Sequence, residues 1–226
     1  MSEFSIYCLP GNAATEHAGR ILQQTGVPVS FVPDAAATHW LLPVPTRIPV
    51  QVPDGVTIIG GNLDRPGIDL LKDPFYLAEN AAITAQCAME LIGKDLKGLS
   101  VLVLGWGRIG KCLGRFLRET GAQVTIAARR ETDVAMIGAL GYGGVFLREA
   151  APLLPRFDAV VNTVPAMVLS AFGCREDCIL VELASRPGMA GDNIIDGRGL
   201  PGKFAPEKSG QLIARTVLRL CKEEGT

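Results

Sequence analysis

Residues 99–110 read Leu-Ser-Val-Leu-Val-Leu-Gly-Trp-Gly-Arg-Ile-Gly. The apolar run at 99–104 is typical of a buried β-strand, and apolar residues at helical spacings then continue to Leu117. A strand, a Gly-x-Gly-x-x-Gly turn and a helix, in this order, are typical of the first unit of a dinucleotide-binding domain. The stretch therefore predicts an α/β fold with a Rossmann-type doubly wound parallel sheet.

The three glycines of the motif have different expected roles. Gly105 permits the tight turn out of the strand, Gly107 lets the backbone approach a pyrophosphate, and Gly110 brings the helix close to the sheet. Backbone N–H groups of the first helical turn then face the anion. The alternative is an ordinary glycine-rich tight turn. We predict that six residues line the pyrophosphate: Gly105, Trp106, Gly107, Arg108, Ile109 and Gly110.

The end of the second strand predicts the cofactor. An NAD site usually carries Asp or Glu there, whereas this chain reads Ala128-Arg129-Arg130. A guanidinium offers a 2′-phosphate several charge-assisted hydrogen bonds, so the pattern favours NADP, with NAD still possible. The alternative is that both arginines are solvated at the start of a loop, where Glu131 neutralises one of them.

Two further strand ends are expected at the same edge of the sheet. A fourth strand is predicted at 158–165 and a fifth at 178–183, and ligands of open parallel sheets bind outside the carboxyl ends of the strands. A sixth strand at 193–196 follows so closely that a helical crossover hardly fits before it. We predict that these residues edge the cofactor cleft: Thr163, Val164, Pro165, Ala184, Ser185 and Arg186.

Composition excludes several classes of protein. The chain has 226 residues, 48% of them hydrophobic, and a net charge of −1, which argues against nucleic-acid or membrane partners. Residues 1–4 lack the start of a signal peptide, so a cytoplasmic location is expected. The six cysteines match no zinc-site spacing, and we predict reduced thiols and no metal. No histidine follows His39, which argues against the imidazole acid/base chemistry of 2-hydroxy-acid dehydrogenases.

The predicted organisation has four parts. They are a small α/β domain at 1–73, a linking helix at 74–98, a Rossmann NAD(P)-binding domain at 99–206 and a closing helix at 207–226. Asp73 is the predicted N-cap of the linking helix, ahead of a proline at its first position. A short helix is expected at 149–154, and a rigid glycine- and proline-rich loop at 197–206.

Five motifs in the second part of the chain together resemble the A subunit of dipicolinate synthase. The likeness spans roughly residues 74–223. The motifs are Val103–Gly110, Ala127–Arg129, Val161–Ala166, Leu183–Gly188 and Gly199–Pro206.

This resemblance implies an activity. It implies oxidation of a dihydrodipicolinate-type ring to dipicolinate with NADP during sporulation, a flavoprotein-like B subunit as partner, and a small dicarboxylate substrate. We also expect a homo-oligomer. Two carboxylates require cationic donors, for which Arg186 and Lys203 are the candidates. Asn80 and Thr84, on the linking helix, are candidates to orient the ring or a water molecule, unless they belong to a solvated helix face.

Two other functions compete with this prediction. A shikimate-dehydrogenase-like reductase would share the Asn162-Thr163 pair, but such enzymes need a lysine in the first domain, and none precedes Lys72. A non-catalytic NADP-binding regulatory subunit is consistent with the short first domain and with Gln86 and Glu207, where the family tends to have a glutamate and a lysine.

Overall fold

The computed structural model describes residues 4–93, 95–170 and 173–224. The chain forms two compact units, the first comprising residues up to Ile83 together with those from Pro201 onward, and the second comprising Thr84–Leu200. The four-part organisation stays a prediction, and residues 1–3, on which the expected lack of a signal peptide depends, lie outside the described residues.

The regular elements are short strands and six α-helices within the described residues. The strands are β1 Ile6–Cys8, β2 Val29–Ser30, β3 His39–Leu41, β4 Thr57–Gly60, β5 Ile68–Asp69, β6 Ser100–Leu104, β7 Gln123–Ala128, β8 Gly143–Phe146, β9 Ala159–Asn162, β10 Leu169–Ser170, β11 Ile179–Glu182, β12 Met189–Ala190 and β13 Ile194–Asp196. The helices are α1 Ala13–Gln24, α2 Pro74–Ile92, α3 Arg108–Glu119, α4 Glu131–Ala139, α5 Leu200–Phe204 and α6 Pro206–Glu224.

The first unit contains a parallel sheet in the order β2-β1-β3-β4-β5. Its core is apolar and includes Leu22 of α1, Leu41 of β3 and Val217 of α6, all fully buried. Helices α1 and α6 approach closely at Gly210, where an added Cβ would lie 2.8 Å from the carbonyl oxygen of Ala14. A side chain at position 210 would therefore force these helices apart.

Helix α2 begins as the sequence predicts. The Asp73 carboxylate accepts a hydrogen bond from the backbone N–H of Tyr76 at 2.7 Å. The Arg219 guanidinium of α6 lies 2.7 Å from the same carboxylate and 5.1 Å from the centre of the Phe75 ring. Asp73 thus caps α2 and also ties its first turn to α6.

The second unit contains a six-stranded parallel sheet in the order β13-β11-β9-β6-β7-β8. The chain starts in the middle at β6, winds outward through β7 and β8, and then crosses to β9 on the other side. This is the doubly wound order, so the predicted Rossmann-type fold class is confirmed. Leu102, Val103 and Leu104 of β6 are fully buried, as expected for a central strand of a covered sheet.

Two local predictions need correction. The helix expected at 149–154 is replaced by two 3-10 helices, Leu147–Glu149 and Ala151–Arg156, because Pro152 and Pro155 remove backbone donors. The loop expected at 197–206 contains α5, whose Leu200 is 1% exposed and whose Pro201 carbonyl accepts from Ala205 N–H at 3.1 Å. Lys203 therefore lies on a helix.

The last strand shows that a helix is not needed for a parallel crossover. Strand β13 pairs with β11 in parallel, and residues 183–193 between them contain β12 and no helix. Strand β12 pairs with β10 in a separate two-stranded ladder, which replaces the usual crossover helix. In the part of the chain that the structure describes, none of the helices has the length and apolar character required to cross a bilayer.

Candidate dinucleotide-binding site

The candidate site lies at the carboxyl end of β6, where the strand order reverses. Strand β6 pairs with β7 on one side and β9 on the other, and the connections from β6 and β9 run in opposite directions along the sheet. This arrangement opens a crevice between the two loops that follow β6 and β9. Those loops contain the predicted residues Gly105–Gly110 and Thr163–Pro165.

Each glycine of the motif has a different structural requirement. Gly105 has φ +105°, and a Cβ there would lie 2.6 Å from the Thr163 hydroxyl. A Cβ on Gly110 would lie 2.1 Å from the carbonyl oxygen of Gly105, so only glycine lets α3 start so close to the loop. A Cβ on Gly107 would meet no described protein atom within 4 Å. The backbone at Gly107 therefore borders open space that a ligand can enter.

Hydrogen bonds fix the loops around this space. The backbone N–H and the hydroxyl of Thr163 both donate to the carbonyl oxygen of Leu104, at 2.9 and 2.8 Å. The Gly105 N–H donates to the carbonyl oxygen of Ala127 at 2.9 Å. Gly105, Thr163 and Val164 are thus brought together, and the end of β7 is held beside them. Pro165 is exposed at the rim of the same loop.

Helix α3 begins at the site without a capping side chain. Gly107 is the N-cap, and its carbonyl oxygen accepts from Lys111 N–H at 3.0 Å. The N–H groups of a first helical turn have no carbonyl partner within their own helix, and together with the helix dipole they favour an anion. Arg108 is exposed on this first turn and Ile109 is half-buried. The arrangement suits a pyrophosphate.

Trp106 of the motif belongs to an aromatic and cationic cluster. The Lys111 ammonium lies 5.5 Å from the centre of the Trp106 ring, whose edge meets Tyr142 with the ring centres 6.0 Å apart. The Arg118 guanidinium lies 4.4 Å from the centre of the Tyr142 ring. Trp106 is therefore held by α3 and by the segment before β8, with Lys111 over its own ring and Arg118 over the ring of Tyr142.

The two arginines after β7 differ in their contacts. Arg130 forms a bidentate pair with Asp133, at 2.7 and 2.9 Å, and the hydrogen bond from Arg130 lowers the pKa of the Asp133 carboxyl. Arg129 is exposed and makes no hydrogen bond or ion pair with any residue of the described segments. Ala128 before it is buried. Arg129 is consequently the cation that remains available to a ligand at this strand end.

The loop after β11 depends on a carboxylate that sequence reasoning missed. Glu182 is 4% exposed, and its side chain accepts hydrogen bonds from the backbone N–H groups of Ala184, Gly188 and Met189 at 2.8–3.2 Å. It also accepts from the amide of Asn162, which is fully buried. The only available signal was a glutamate at the end of an apolar strand, Ile-Leu-Val-Glu.

The remaining predicted residues are spread over both units. Asn80 is half-buried and Thr84 is 7% exposed, both on α2. Ser185 and Arg186 are exposed in the loop after β11, beyond the buried Ala184, and Lys203 is exposed on α5. Their predicted roles stay predictions. Among residues 4–93, 95–170 and 173–224, no cluster of three His, Cys, Asp or Glu side chains could hold a metal ion.

Comparison with known proteins identifies the class of this site. Residues 77–168 match the model of the D-isomer specific 2-hydroxyacid dehydrogenase NAD-binding domain. The A subunit of dipicolinate synthase from Bacillus subtilis is 29% identical over 151 residues, which is 62% of this chain and 51% of that protein. The chain thus spans about half the length of this curated relative. The sequence-based resemblance to the A subunit of dipicolinate synthase is confirmed.

Two crystal structures share the fold. The A subunit of dipicolinate synthase from Bacillus halodurans is 22% identical and has a TM-score of 0.85, with 97% of this chain and 98% of that chain covered. The corresponding structure from Bacillus subtilis is 21% identical and has a TM-score of 0.81, with 99% and 97% covered. These likenesses show the fold, and the match of residues 77–168 to an NAD-binding domain model indicates a nicotinamide dinucleotide as the cofactor class.

Proposed function

We propose that this protein is an NADP-preferring oxidoreductase that oxidises a dihydrodipicolinate-type ring to dipicolinate. The observation that carries the proposal is the glycine-lined space at Gly107 together with the exposed, unpaired Arg129 at the neighbouring strand end, both within the described residues. The substrate class rests on the similarity to the A subunit of dipicolinate synthase.

The residues present fit a bound dinucleotide. The space beside Gly107 accommodates a pyrophosphate, which the first turn of α3 would hold through backbone N–H groups. The adenosine side would lie toward the end of β7, where Arg129 would donate to a 2′-phosphate. Thr163, Val164, Ala184 and Ser185, at the ends of β9 and β11, would border the nicotinamide side.

The 2′-phosphate preference follows from charge. No carboxylate occupies positions 128–130, and the carboxylate of Asp133 is already paired with Arg130. A charged hydrogen bond contributes about 1.5–3 kcal/mol. At about 1.4 kcal/mol per tenfold change in affinity, Arg129 would give NADP a roughly tenfold to hundredfold advantage over NAD.

The reaction removes a hydride and a proton from the ring, and the ring becomes an aromatic pyridine. When bound, NADP⁺ supplies the acceptor for the hydride. The task of the chain is then to bind the two carboxylates and to orient the ring, because aromatisation provides the driving force. Arg186 and Lys203 are proposed for the carboxylates, and Asn80 and Thr84 for orienting the ring or a water molecule that takes the proton.

A 2-hydroxy-acid dehydrogenase reaction is less well supported, although the matched family model bears that name. Such a reaction needs a proton-transferring imidazole, and the only histidines of the chain are His17 and His39, both before the matched residues. Ring oxidation needs no proton transfer to or from an alcohol. The family match therefore supports the nucleotide site. The substrate is selected by residues outside that site.

Subunit composition is part of the proposal. The name of the Bacillus subtilis relative designates it as one subunit of a synthase, which supports association with a second subunit, proposed here to be a flavoprotein-like B subunit. A homo-oligomer of this chain is also proposed. A role in sporulation would follow if the product is dipicolinate.

The experiment is an activity assay with separated components. The purified protein is mixed with NADP⁺ and the fresh product of dihydrodipicolinate synthase, with and without the flavoprotein-like B subunit, and NADPH absorbance and dipicolinate are both measured. Equal formation of NADPH and dipicolinate supports the proposal. Nucleotide binding without turnover in either mixture would instead identify a non-catalytic, NADP-binding regulatory subunit.

A further inference from the structure

A second cleft lies in the first unit. Its residues are far in sequence from the glycine motif. It has a volume of about 210 Å³ and lies between the segment after β3, residues 42–50, and the segment after β4, residues 61–65. Both strands are parallel neighbours, so the cleft lies outside their carboxyl ends. Ligands of parallel sheets bind at such edges.

Hydrogen bonds fix the backbone of both segments, and one of them joins the two. The Thr46 N–H donates to the Gly61 carbonyl oxygen at 2.7 Å, and the Thr46 hydroxyl donates to the Pro43 carbonyl oxygen at 2.9 Å. The Asp69 carboxylate accepts from the N–H groups of Asn62 and Leu63, each at 3.2 Å. A preformed site loses little conformational entropy when it binds a ligand.

The lining combines two guanidinium groups with apolar side chains. Arg47 is exposed and has no hydrogen bond or ion pair within the described parts of the chain. Arg65 contacts Asp64 through Nε alone, at 3.3 Å, and Asp64 is 72% exposed in water. The apolar part of the lining consists of Leu42, Ile48, Val50, Ile58 and Leu63.

This lining selects among anions. Two arginines against one solvated carboxylate leave the cleft cationic, and a guanidinium binds a planar carboxylate through two parallel hydrogen bonds. Inorganic phosphate would be charged but would leave the apolar side chains uncovered. An acid with a flat apolar body would cover them, and a cavity of about 150 Å³ already holds a benzene ring.

We propose that the cleft beside Arg47 and Arg65 is a binding site for a small organic acid that consists of one ring with one or two carboxylates. The arginines bind the carboxylates, and the apolar side chains cover the ring. The site is formed by the first unit alone and needs no nucleotide. It therefore goes beyond the proposed function and can be tested separately.

The test is calorimetric titration of the full-length protein, without nucleotide, with pyridine-2,6-dicarboxylate, benzoate and inorganic phosphate. The expected result is binding of a ring carboxylate, and weaker or no binding of phosphate. Arg47→Met and Arg65→Met should each weaken it about tenfold or more, because each removes a charged hydrogen bond worth about 1.5–3 kcal/mol. Arg20→Met, at another exposed arginine of the first unit, is the matched control and should leave it unchanged.

Three results would overturn the proposal: no ring carboxylate binds the unmodified protein at millimolar concentration, phosphate binds as tightly, or both arginine variants bind like the unmodified protein. Circular dichroism and urea unfolding show whether the variants remain folded, and NADPH titration tests the proposed function separately. Because Arg47→Met leaves the glycine motif intact, it should retain nucleotide affinity. If neither the unmodified protein nor its variants bind NADPH, the proposed function is contradicted, but the proposed carboxylate site is not.

Discussion

The amide of Asn162 donates hydrogen bonds to both oxygens of the Glu182 carboxylate, at 2.8 and 3.1 Å, across the neighbouring strands β9 and β11. The same amide group donates to the Val164 carbonyl oxygen, while its own oxygen accepts from Val164 N–H. The loops after β9 and β11 are therefore fixed by one buried amide–carboxylate pair. Both loops carry residues predicted to border the cofactor.

Replacement of this carboxylate should disturb both loops. Glu182→Leu leaves three backbone N–H groups without their acceptor and leaves the Asn162 amide only the Val164 carbonyl oxygen, so we expect a loss of about 3 kcal/mol in the free energy of unfolding. Urea unfolding measures this loss. Glu182→Gln should cost less, since one oxygen remains, and Glu176→Gln, at an exposed position, should cost nothing. Unchanged stability of Glu182→Leu would contradict the role of this pair.

Substitutions at two glycines of the motif should affect folding stability and nucleotide affinity differently. Gly110→Ala places a Cβ against the Gly105 carbonyl oxygen, so we expect a loss of about 1–3 kcal/mol in stability. Gly107→Ala meets no described protein atom and should change stability by less than about 0.5 kcal/mol. It should nevertheless weaken nucleotide binding about tenfold or more, because its methyl group occupies the space left for the pyrophosphate.

Gly138→Ala is the matched control for these glycine variants. This residue lies inside α4 with open space around its Cα, and alanine there should raise stability by about 0.5–1 kcal/mol without affecting nucleotide affinity. Thermal unfolding and fluorescence titration with NADPH measure the two properties. Equal nucleotide affinities of Gly107→Ala and Gly138→Ala would show that the space at Gly107 is not the pyrophosphate site.

Cofactor preference should depend on Arg129 more than on Arg130. Arg129→Asp introduces repulsion toward a 2′-phosphate and an acceptor for a ribose hydroxyl, so the NADP preference should reverse. Arg129→Gln should reduce the ratio of NADP to NAD affinity roughly tenfold to hundredfold. Arg130→Gln should reduce it less, because this guanidinium is already paired with Asp133. Competitive titrations measure the ratios, and identical ratios for both glutamine variants would contradict this assignment.

Acid should weaken the contact between α2 and α6. Burial alone would raise the pKa of Asp73, but the hydrogen bond from Tyr76 N–H and the Arg219 guanidinium outweigh it and hold this pKa below its ordinary value. A lowered folded-state pKa means that the stabilisation is present above the unfolded pKa of about 4 and is lost as the pH falls through the folded value.

Variants at position 73 separate the charge from the cap. Asp73→Asn keeps the capping oxygen, so it should flatten the acid side of the stability profile while retaining most of the stability due to the cap. Asp73→Ala also loses the cap, which costs about 0.5–2 kcal/mol. Urea unfolding from pH 3 to pH 7 measures both effects. An Asp73→Asn profile as steep as that of the unmodified protein would show that Asp73 contributes nothing to the acid dependence.

Much of the second unit could be predicted because local pattern and global fold agree there. The apolar run at 99–104 is typical of a buried strand, and the glycine spacing fixes the turn that follows. Capping chemistry likewise placed the start of α2 correctly at residue 74. These signals are local, so they can be recognised without knowledge of contacts between distant residues.

The features that the sequence did not predict depend on contacts between residues far apart in the chain. Glu182 acts through loop N–H groups up to seven residues away, and no local pattern distinguishes a buried glutamate from one at a solvated strand end. Helix α5 carries glycine and proline, which predict a loop, but burial of Leu200 overrides that local preference. Strand β5 has only two residues and pairs with β4, which is too short a signal to recognise.

The central claim is that a nicotinamide dinucleotide rests against the backbone between Leu104 and α3. Calorimetric titration of the unmodified protein with NADPH and with NADH tests it most directly. We expect one nucleotide to bind per chain, with NADPH bound roughly tenfold to hundredfold more tightly than NADH. Absence of binding heat with both nucleotides, over a range of temperatures, would contradict it.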